Sequence, residues 1–220
     1  MSVLNIAIDG PAGAGKSTVA KAVAKSLNIA YLDTGAMYRA VAYFCVQQGV
    51  NVADEKAVLP LLDEIELEIQ PSESVQKVIL NGVDITGGIR TPEMGMNAST
   101  VSKIHAVRLK LVEMQRAIAA KSACVLDGRD IGTLVLPNAP YKFFLTADAK
   151  ERAMRRFKEL VAKGLEVNYD TILAEVIARD KQDVEKDFGA LKQADDAILI
   201  DSTDLQAAEV VNEILSRIKK

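Results

Sequence analysis

The chain has 220 residues, of which 49% are hydrophobic and 26% are charged. This length and balance are typical of a globular protein with one domain, or with one core domain and a small insertion. The formal net charge of −3 disfavours a broad nucleic-acid-binding surface. No apolar run reaches the roughly 20 residues of a membrane span, and the N-terminus does not read as a secretory signal. We therefore expect a cytoplasmic protein without nucleic-acid or membrane partners.

The first elements predict alternating strands and helices. Residues 3–9 form a short β-rich run, and after a glycine-rich turn residues 16–26 carry apolar side chains at helical spacing. A second strand is predicted at 30–33, and a second helix at 35–48 ends where Gly49 follows. This alternation is typical of an α/β fold with a parallel sheet.

The middle of the chain predicts a small antiparallel sheet. Residues 65–69 alternate apolar and acidic side chains, and residues 75–80 form another extended run. The Asn81-Gly82 pair that follows favours a two-residue hairpin turn. We interpret residues 63–90 as a β insertion with one solvated face.

The second half returns to the α/β pattern. After Pro92 a helix is predicted, and its apolar stripe from Ile104 to Ile118 continues down to Lys121. Residues 123–128 and 141–146 are flat apolar runs, as expected for buried parallel strands. The remaining predicted elements are a helix from a capping box at Asp148 and Glu151 to about Lys163, a helix at 170–186, a strand at 197–201, and a final helix capped by Thr203 with Gln206. The whole pattern predicts a doubly wound parallel sheet.

Residues 10–17, GPAGAGKS, match the pattern G-x-x-x-x-G-K-[ST] of a phosphate-binding loop. In such a loop the backbone N–H groups and the following helix N-terminus bind phosphates, the lysine bridges outer phosphate oxygens, and the hydroxyl ligates Mg²⁺. A chance match has a probability of about one in a hundred, so a glycine-rich turn merely capped by Ser17 is disfavoured. The residues predicted to contact a nucleoside triphosphate are Gly10, Pro11, Ala12, Gly13, Ala14, Gly15, Lys16, Ser17 and Thr18, with Ser17 also the Mg²⁺ ligand.

The loop does not identify the phosphoryl acceptor, because many NTPases, switches and small-molecule kinases share it. Arginines lie at the ends of other predicted elements, at Arg39, at Arg129 and within the ERAMRR segment at 151–156. Phosphoryl transfer spreads negative charge over equatorial oxygens, which positioned cations stabilise. Several converging arginines therefore favour a site for two phosphate-bearing substrates over a regulatory switch.

Five segments carry a resemblance to a known family. They are GPAGAGKS at 10–17, LDTGAMYRA at 32–40, NAS at 97–99 with Arg108 nine residues later, DGRDIGT at 127–133 and RDKQD at 179–183. In this order and spacing they closely resemble bacterial-type cytidylate kinases, which belong to the nucleoside monophosphate kinase superfamily of P-loop proteins. The resemblance runs over the full chain, and the β insertion is similar to that family's enlarged monophosphate-binding region.

The resemblance implies phosphoryl transfer from ATP, with Mg²⁺, to CMP or dCMP. It implies a single kinase domain over 1–220, with a monophosphate-binding region at 34–110 and a helical lid at 152–168. The residues it assigns to the acceptor are Thr34, Arg39, Ser99, Arg108, Arg129, Asp130, Arg179 and Asp183. The residues it assigns to the transfer itself are Lys16, Arg129, Arg179, Arg155 and Arg156. We expect a monomer whose partners are these small-molecule substrates.

The acceptor set divides by chemistry. The resemblance places the acceptor's phosphate at Thr34, Arg39 and Arg129, the cytosine base at Ser99, Arg108 and Asp130, and the sugar at Arg179 and Asp183. A carboxylate at Asp130 accepts from the amino group of cytosine and repels the carbonyl oxygen that uracil presents there. Lys186 stands where the family commonly has an arginine, so its role is left open.

Simpler alternatives remain for several residues. The arginines of 152–156 also suit a solvated helix face paired with neighbouring glutamates, and Arg129 suits a local ion pair with Asp130. Asp9 and Asp127 either end their strands or lie near Mg²⁺. Another small-acceptor kinase of the same fold, using UMP, shikimate or dephospho-coenzyme A, is the nearest alternative function.

Three further residues are given no functional role. Cys45 and Cys124 lie in apolar surroundings and are predicted to be reduced core thiols. His105 lies beside the apolar stripe of a predicted helix, and we expect a packing or surface position for it.

Overall fold

The computed structural model describes residues 3–70 and 76–218 and follows the predicted alternation of strands and helices. In chain order its elements are β1 (Asn5–Asp9), α1 (Lys16–Leu27), β2 (Ala30–Asp33), α2 (Thr34–Gln47), α3 (Glu55–Leu61), β3 (Leu67–Gln70), β4 (Lys77–Leu80), β5 (Val83–Asp84), α4 (Pro92–Val101), α5 (His105–Lys121), β6 (Cys124–Gly128), β7 (Tyr141–Thr146), α6 (Ala149–Ala162), α7 (Tyr169–Val184), β8 (Ile198–Asp201) and α8 (Ala207–Arg217). No helix within the described ranges is both long and apolar enough to cross a membrane.

The central sheet has five parallel strands in the order β2-β6-β1-β7-β8. Strands β1 and β6 lie inside the sheet and are almost fully buried, as their flat apolar sequences predict. The strand order changes direction beside β1, and in open α/β sheets ligands bind at the carboxyl ends of the strands at such a point. Here Asp9 at the end of β1 is in register with Gly128 and Phe144. The predicted doubly wound sheet is confirmed.

Both faces of the sheet are covered, because alternate residues of each strand point to opposite sides. Ile6 and Ile8 join a core built with α1 and α8, whereas Ala7 joins a larger core built with α2, α4 and α5. Cys45 and Cys124 are free and buried, as predicted. Burial raises the pKa of both thiols, to about 11 for Cys124.

The predicted β insertion is an antiparallel sheet in the order β3-β4-β5. Asn81 and Gly82 have φ values of 49° and 80°, the left-handed conformation that a two-residue hairpin turn requires. Val78 and Leu80 point from β4 into the larger core, which fixes the insertion to the main domain. Val75, the first residue of the predicted strand, lies outside the described residues.

Two helices replace the single helix predicted after Pro92. Helix α4 ends at Val101, and Ile104 is the extended N-cap of α5. Ile104 is nevertheless buried in the same core as Val107 and Leu111, as the predicted apolar stripe requires. The hydroxyl of Ser102 donates to the carbonyl of Ser99 at 2.8 Å, a local bond that competes with helix continuation. Helix α3 was not predicted, because it has seven residues and contains Pro60.

Two predicted caps differ in the structure. The final helix is capped by a box between Gln206 and Glu209, whereas Thr203 accepts from the backbone N–H of Asp148. Asp148 is the N-cap of α6 as predicted, but Glu151 pairs with Arg155 instead of closing a capping box.

Helices α6 and α7 form a hairpin with a small apolar core of its own. Its buried members are Ala153, Leu160, Ile172 and Val176. Gly164 adopts a φ of 76° just after α6, as predicted for the residue that ends this helix. The hairpin therefore packs as a unit beside the carboxyl ends of the strands.

Candidate active site

The phosphate-loop sequence connects β1 to α1 and has a conformation that depends on glycine. Gly13 and Gly15 have φ values of 78° and 85°. A Cβ atom at Gly10 would lie 1.9 Å from the carbonyl oxygen of Leu145, so the loop approaches β7 too closely for any side chain. No side chain caps the first turn of α1, which leaves its N–H groups for an anion.

Lys16 is buried at the start of α1 and donates to the carbonyl of Pro11 at 2.7 Å. Burial lowers its pKa well below the usual value, and the nearby positive charges of Arg129 and Arg179 lower it further. The carboxylates of Asp127 and Asp9 oppose this shift. Because burial and neighbouring positive charges disfavour the Lys16 ammonium, an anion that enters the loop would stabilise it.

Ser17 and Asp127 face each other across the loop. The Ser17 hydroxyl donates to Oδ2 of Asp127 at 2.7 Å, and the Tyr31 hydroxyl donates to Oδ1 at 2.8 Å. Burial and the charge of Asp33 raise the pKa of Asp127, while Lys16 lowers it. Asp127 therefore orients the Ser17 hydroxyl, a role beyond ending its strand.

Asp9 has a different environment. Its two carboxylate oxygens accept from the backbone N–H groups of Ile131 and Gly132 at 2.8 and 2.7 Å. Burial raises the pKa of Asp9 to about 6 against these two hydrogen bonds. Asp9 thus anchors the π-helical turn at Ile131–Val135, which follows the DGRD segment.

Three arginines of the acceptor set present unpaired donors. The Nε atoms of Arg39, Arg108 and Arg179 are buried, and none has a hydrogen-bond partner within residues 3–70 and 76–218. Burial, together with the charges of Arg129 and Arg39, lowers the pKa of Arg179 to about 10. Such donors are costly to bury unless an acceptor binds there.

Arg129 pairs with Asp183 rather than with its neighbour Asp130. Its Nε donates to Oδ2 of Asp183 at 2.8 Å, and Lys186 donates to Oδ1 of the same carboxylate at 2.8 Å. Burial raises the pKa of Asp183, but Arg129 and Lys186 outweigh burial and hold that pKa below its usual range. The local ion pair is thus excluded, and Lys186 is a buried member of the site.

The three residues assigned to base reading each make a polar contact. Nη2 of Arg108 donates to Oδ2 of Asp130 in a buried ion pair, and its Nη1 donates to the carbonyl of Ser102. The guanidinium carbon lies 5.5 Å from the ring centroid of Tyr38. The Ser99 hydroxyl donates to Oε1 of Gln182 at 3.1 Å, which connects α4 to α7.

Thr34 and Arg39 lie at the start of α2. The Thr34 hydroxyl donates to the carbonyl of Asp127 at 2.7 Å, which joins α2 to β6. Arg39 pairs with Asp33 at 2.8 Å, and Asp33 also caps α2 by accepting from Ala36. Both residues thus lie at the carboxyl edge of the sheet.

The arginines of the ERAMRR segment divide into two groups. Arg155 pairs with Glu151 and donates to the carbonyls of Ser202 and Thr203, and Arg156 pairs with Glu159. These ion pairs match the solvated-face alternative, although the charge of Arg156 also acts on Arg179. Arg152, by contrast, is buried.

Gln76 is a site residue that sequence reasoning missed. It is 2% exposed, its Oε1 accepts from the N–H of Asp33 at 2.8 Å, and its Nε2 donates to the carbonyl of Asp33 at 3.3 Å. The β insertion thereby holds the residue that caps α2 and pairs with Arg39. No motif marks this glutamine, so only the fold reveals its contact. His105 packs edge-on against Phe188, outside this network.

Sheet and loop together define the class of protein. A doubly wound sheet whose first strand leads through such a loop into a helix is the fold of the P-loop kinases. A shikimate kinase from Bacteroides thetaiotaomicron aligns with a TM-score of 0.50 and 16% identity over 98% of each chain. A gluconokinase from Sinorhizobium meliloti aligns with a TM-score of 0.50 and 13% identity over 97% of this chain and 90% of its own. At these identities the likeness concerns the fold alone.

Sequence relatives identify the family within that class. The cytidylate kinase family model matches residues 6–220. A cytidylate kinase from Carboxydothermus hydrogenoformans is 49% identical over 212 residues, which cover 96% of each chain. A cytidylate kinase from Bacillus subtilis is 46% identical over 217 residues, which cover 99% of this chain and 97% of its own. The chain therefore belongs to the cytidylate kinase family and is an enzyme whose kinase activity phosphorylates CMP.

Proposed function

We propose that the enzyme transfers the γ-phosphoryl group of ATP, with Mg²⁺, to CMP and dCMP to give CDP and dCDP. The observation that carries this proposal is a set of three buried Nε donors, on Arg39, Arg108 and Arg179, that have no hydrogen-bond partner among the described residues. Unpaired arginine donors call for anionic or acceptor-rich ligands, and a nucleoside monophosphate supplies both a phosphate and a base.

The phosphate loop is the part of the site that binds ATP, the phosphoryl donor. Residues Gly10 to Thr18 hold the triphosphate of ATP through backbone N–H groups and the uncapped N-terminus of α1. Lys16 leaves the carbonyl of Pro11 and bridges the outer phosphates. The support is the burial of Lys16, since the low pKa of a buried ammonium rises when an anion pairs with it.

The residues around Ser17 suit a Mg²⁺ ion that is held mainly by substrate phosphates and water, with few protein ligands. Ser17 already points its hydroxyl at the Asp127 carboxylate. The described residues contain no group of three or more His, Cys, Asp or Glu that could form an all-protein metal site. Mg²⁺ in kinases is usually held by one or two protein oxygens, substrate phosphates and waters. We assign Ser17 as the ligand and Asp127 as its orienting partner; the ion neutralises charge on the transferring phosphates.

The phosphate of the acceptor binds at Thr34, Arg39 and Arg129. Arg39 and Arg129 each use one edge of the guanidinium for a carboxylate, that of Asp33 and Asp183 respectively. Both retain other N–H donors for phosphate oxygens. Arg179 is close to both the loop and the acceptor residues, since its charge acts on Lys16 and the charges of Arg129 and Arg39 act on it. We assign Arg179 to the transferring phosphoryl group, where fixed positive charge stabilises the transition state without a general base.

The base and sugar bind at the buried polar pairs. Arg108 occupies only Oδ2 of Asp130, and we assign Oδ1 to the amino group of cytosine. We assign Arg108 and Ser99 to hydrogen bonds with the remaining polar atoms of the base. Asp183 accepts from the sugar hydroxyls while Arg129 and Lys186 keep it ionised. Lys186 acts here through Asp183, a role that its buried contact supports.

We assign residues 34–110 as the monophosphate-binding region and 152–168 as a lid within one kinase domain. Residues 161–166, at the end of α6 and in the turn after it, are exposed, which supports movement of this segment beyond the anchored Arg152. Closure would carry Arg155 and Arg156 toward the triphosphate and exclude water from the transfer. We further propose that the enzyme acts as a cytoplasmic monomer.

An acceptor panel tests the proposed function. ADP release from ATP is measured with CMP, dCMP, UMP and shikimate, each with and without Mg²⁺. We expect strong stimulation by CMP and dCMP that depends on Mg²⁺. Turnover with UMP or shikimate far above that with CMP would overturn the base-reading assignment, and Mg²⁺-independent transfer would overturn the role of Ser17.

A further inference from the structure

Arg152 connects three separate segments of the chain. It belongs to α6, is 4% exposed, and makes four hydrogen bonds through its guanidinium. Nε donates to the carbonyl of Ala147 at 2.8 Å, and Nη1 donates to the carbonyl of Ala12 in the phosphate loop at 3.0 Å. Nη1 and Nη2 donate to the two carboxylate oxygens of Asp180 at 3.0 and 2.6 Å. The phosphate loop, the end of β7 and helix α7 thus meet at one side chain.

The contact fixes the phosphate loop from outside. A Cβ atom added at Gly13 would lie 3.1 Å from the Cβ atom of Arg152, so the loop packs directly against the arginine stem. A bidentate arginine–carboxylate pair fixes orientation as well as distance, because its two donors are coplanar. The relative placement of the loop and α7 is therefore restricted by the Arg152–Asp180 pair.

Asp180 directly follows Arg179, whose Nε has no partner in the described part of the chain. The position of Arg179 therefore depends on how α7 is held. Two partly buried ion pairs hold this stretch of α7, Arg152 with Asp180 and Arg129 with Asp183. The first of these reaches the donor loop and the second reaches the acceptor side.

We propose that Arg152 and Asp180 are positioning residues that set Arg179 relative to the phosphate loop. This inference rests on the proposed role of Arg179 at the transferring phosphoryl group. Apart from Asp180, Arg152 donates to the backbone carbonyls of Ala147 and Ala12, so the contacts of the pair are with the chain itself. The effect of the pair is on the chemical step, because a displacement of about 1 Å in a positioned group can cost about 100-fold in rate.

The test compares Asp180→Asn, Arg179→Ala and the double variant by steady-state kinetics with ATP and CMP. We expect Asp180→Asn to lower kcat by about 10- to 100-fold, with a smaller rise in either KM. In the Arg179→Ala background the same substitution should cause no further loss, because both act on one group. Asp196→Asn is the matched control, since it removes a bidentate carboxylate from the buried Lys142 outside the site.

Each outcome decides the inference. A wild-type kcat in Asp180→Asn, or losses that multiply in the double variant, would overturn it while leaving the role of Arg179 intact. A wild-type kcat in Arg179→Ala would overturn the proposed role of Arg179 and the inference with it. Should Asp180→Asn not fold, Arg152→Lys provides the second measurement, because lysine keeps the charge but loses the planar fork. A wild-type kcat in folded Arg152→Lys would also contradict the inference.

Discussion

Asp130→Asn is the sharpest probe of base selection. The carboxylate of Asp130 is buried and paired with Arg108. Burial raises its pKa, and the charge of Arg108 opposes that shift. Asparagine preserves the shape and one acceptor oxygen, but it removes the negative charge and adds an N–H₂ group. The variant therefore weakens the attraction for cytosine and relieves the repulsion of uracil.

The expected magnitude follows from the contact that is lost. A hydrogen bond to a charged group contributes about 1.5–3 kcal/mol. At about 1.4 kcal/mol for each factor of ten, the ratio of kcat/KM for CMP to that for UMP should fall by about 10- to 150-fold. Loss of the buried ion pair also leaves Arg108 without its counter-charge, so the free energy of unfolding should fall by about 3–5 kcal/mol.

The assay measures kcat/KM for CMP and kcat/KM for UMP on one enzyme preparation, so that the fraction of folded protein cancels in their ratio. Asp183→Asn is the matched control, because Asp183 is another buried carboxylate of the site assigned to the sugar that CMP and UMP share. Its CMP/UMP ratio should stay near that of the original enzyme while kcat/KM falls for both. An unchanged ratio in Asp130→Asn, or equal changes in the two variants, would refute base reading by Asp130.

Three further predictions concern the loop, a buried acid and the insertion. Lys16→Ala should lower transfer by about 100-fold or more with an unchanged thermal unfolding midpoint; normal turnover would contradict the role of the loop lysine. Folding raises the pKa of Asp9 from 3.8 to about 6, so ionisation destabilises the native protein. Its free energy of unfolding should therefore drop by about 2 kcal/mol between pH 4 and 6 relative to Asp9→Asn. Parallel urea-unfolding profiles of the two proteins over that range would disprove this. Gln76→Leu removes both hydrogen bonds to the backbone of Asp33, so it should lower the free energy of unfolding by about 1–3 kcal/mol. It should also raise the KM for CMP more than the KM for ATP. Equal changes in the two KM values would argue against coupling between Gln76 and Arg39.

The sequence alone determined the features whose signals are local. The phosphate loop lies in eight consecutive residues, and the parallel strands read as flat apolar runs, so both followed from the printed order of residues. The Asn81-Gly82 turn followed for the same reason, because only certain residues adopt left-handed φ values easily. The break between α4 and α5, where the Ser102 hydroxyl donates to the carbonyl of Ser99, has no comparable signal in the sequence.

Only the tertiary structure decided which charges meet. Arg129 pairs with Asp183, 54 positions away, although Asp130 is its neighbour in the chain. Arg152 belongs to a segment of three arginines, yet it alone of the three is buried and reaches the phosphate loop. A charged residue has the same local pattern whether it is solvated or paired in the interior, since its partner is chosen by the packing of distant elements. The sequence thus determined the class and the donor loop, and the fold determined how the arginines and carboxylates of the site are arranged around it.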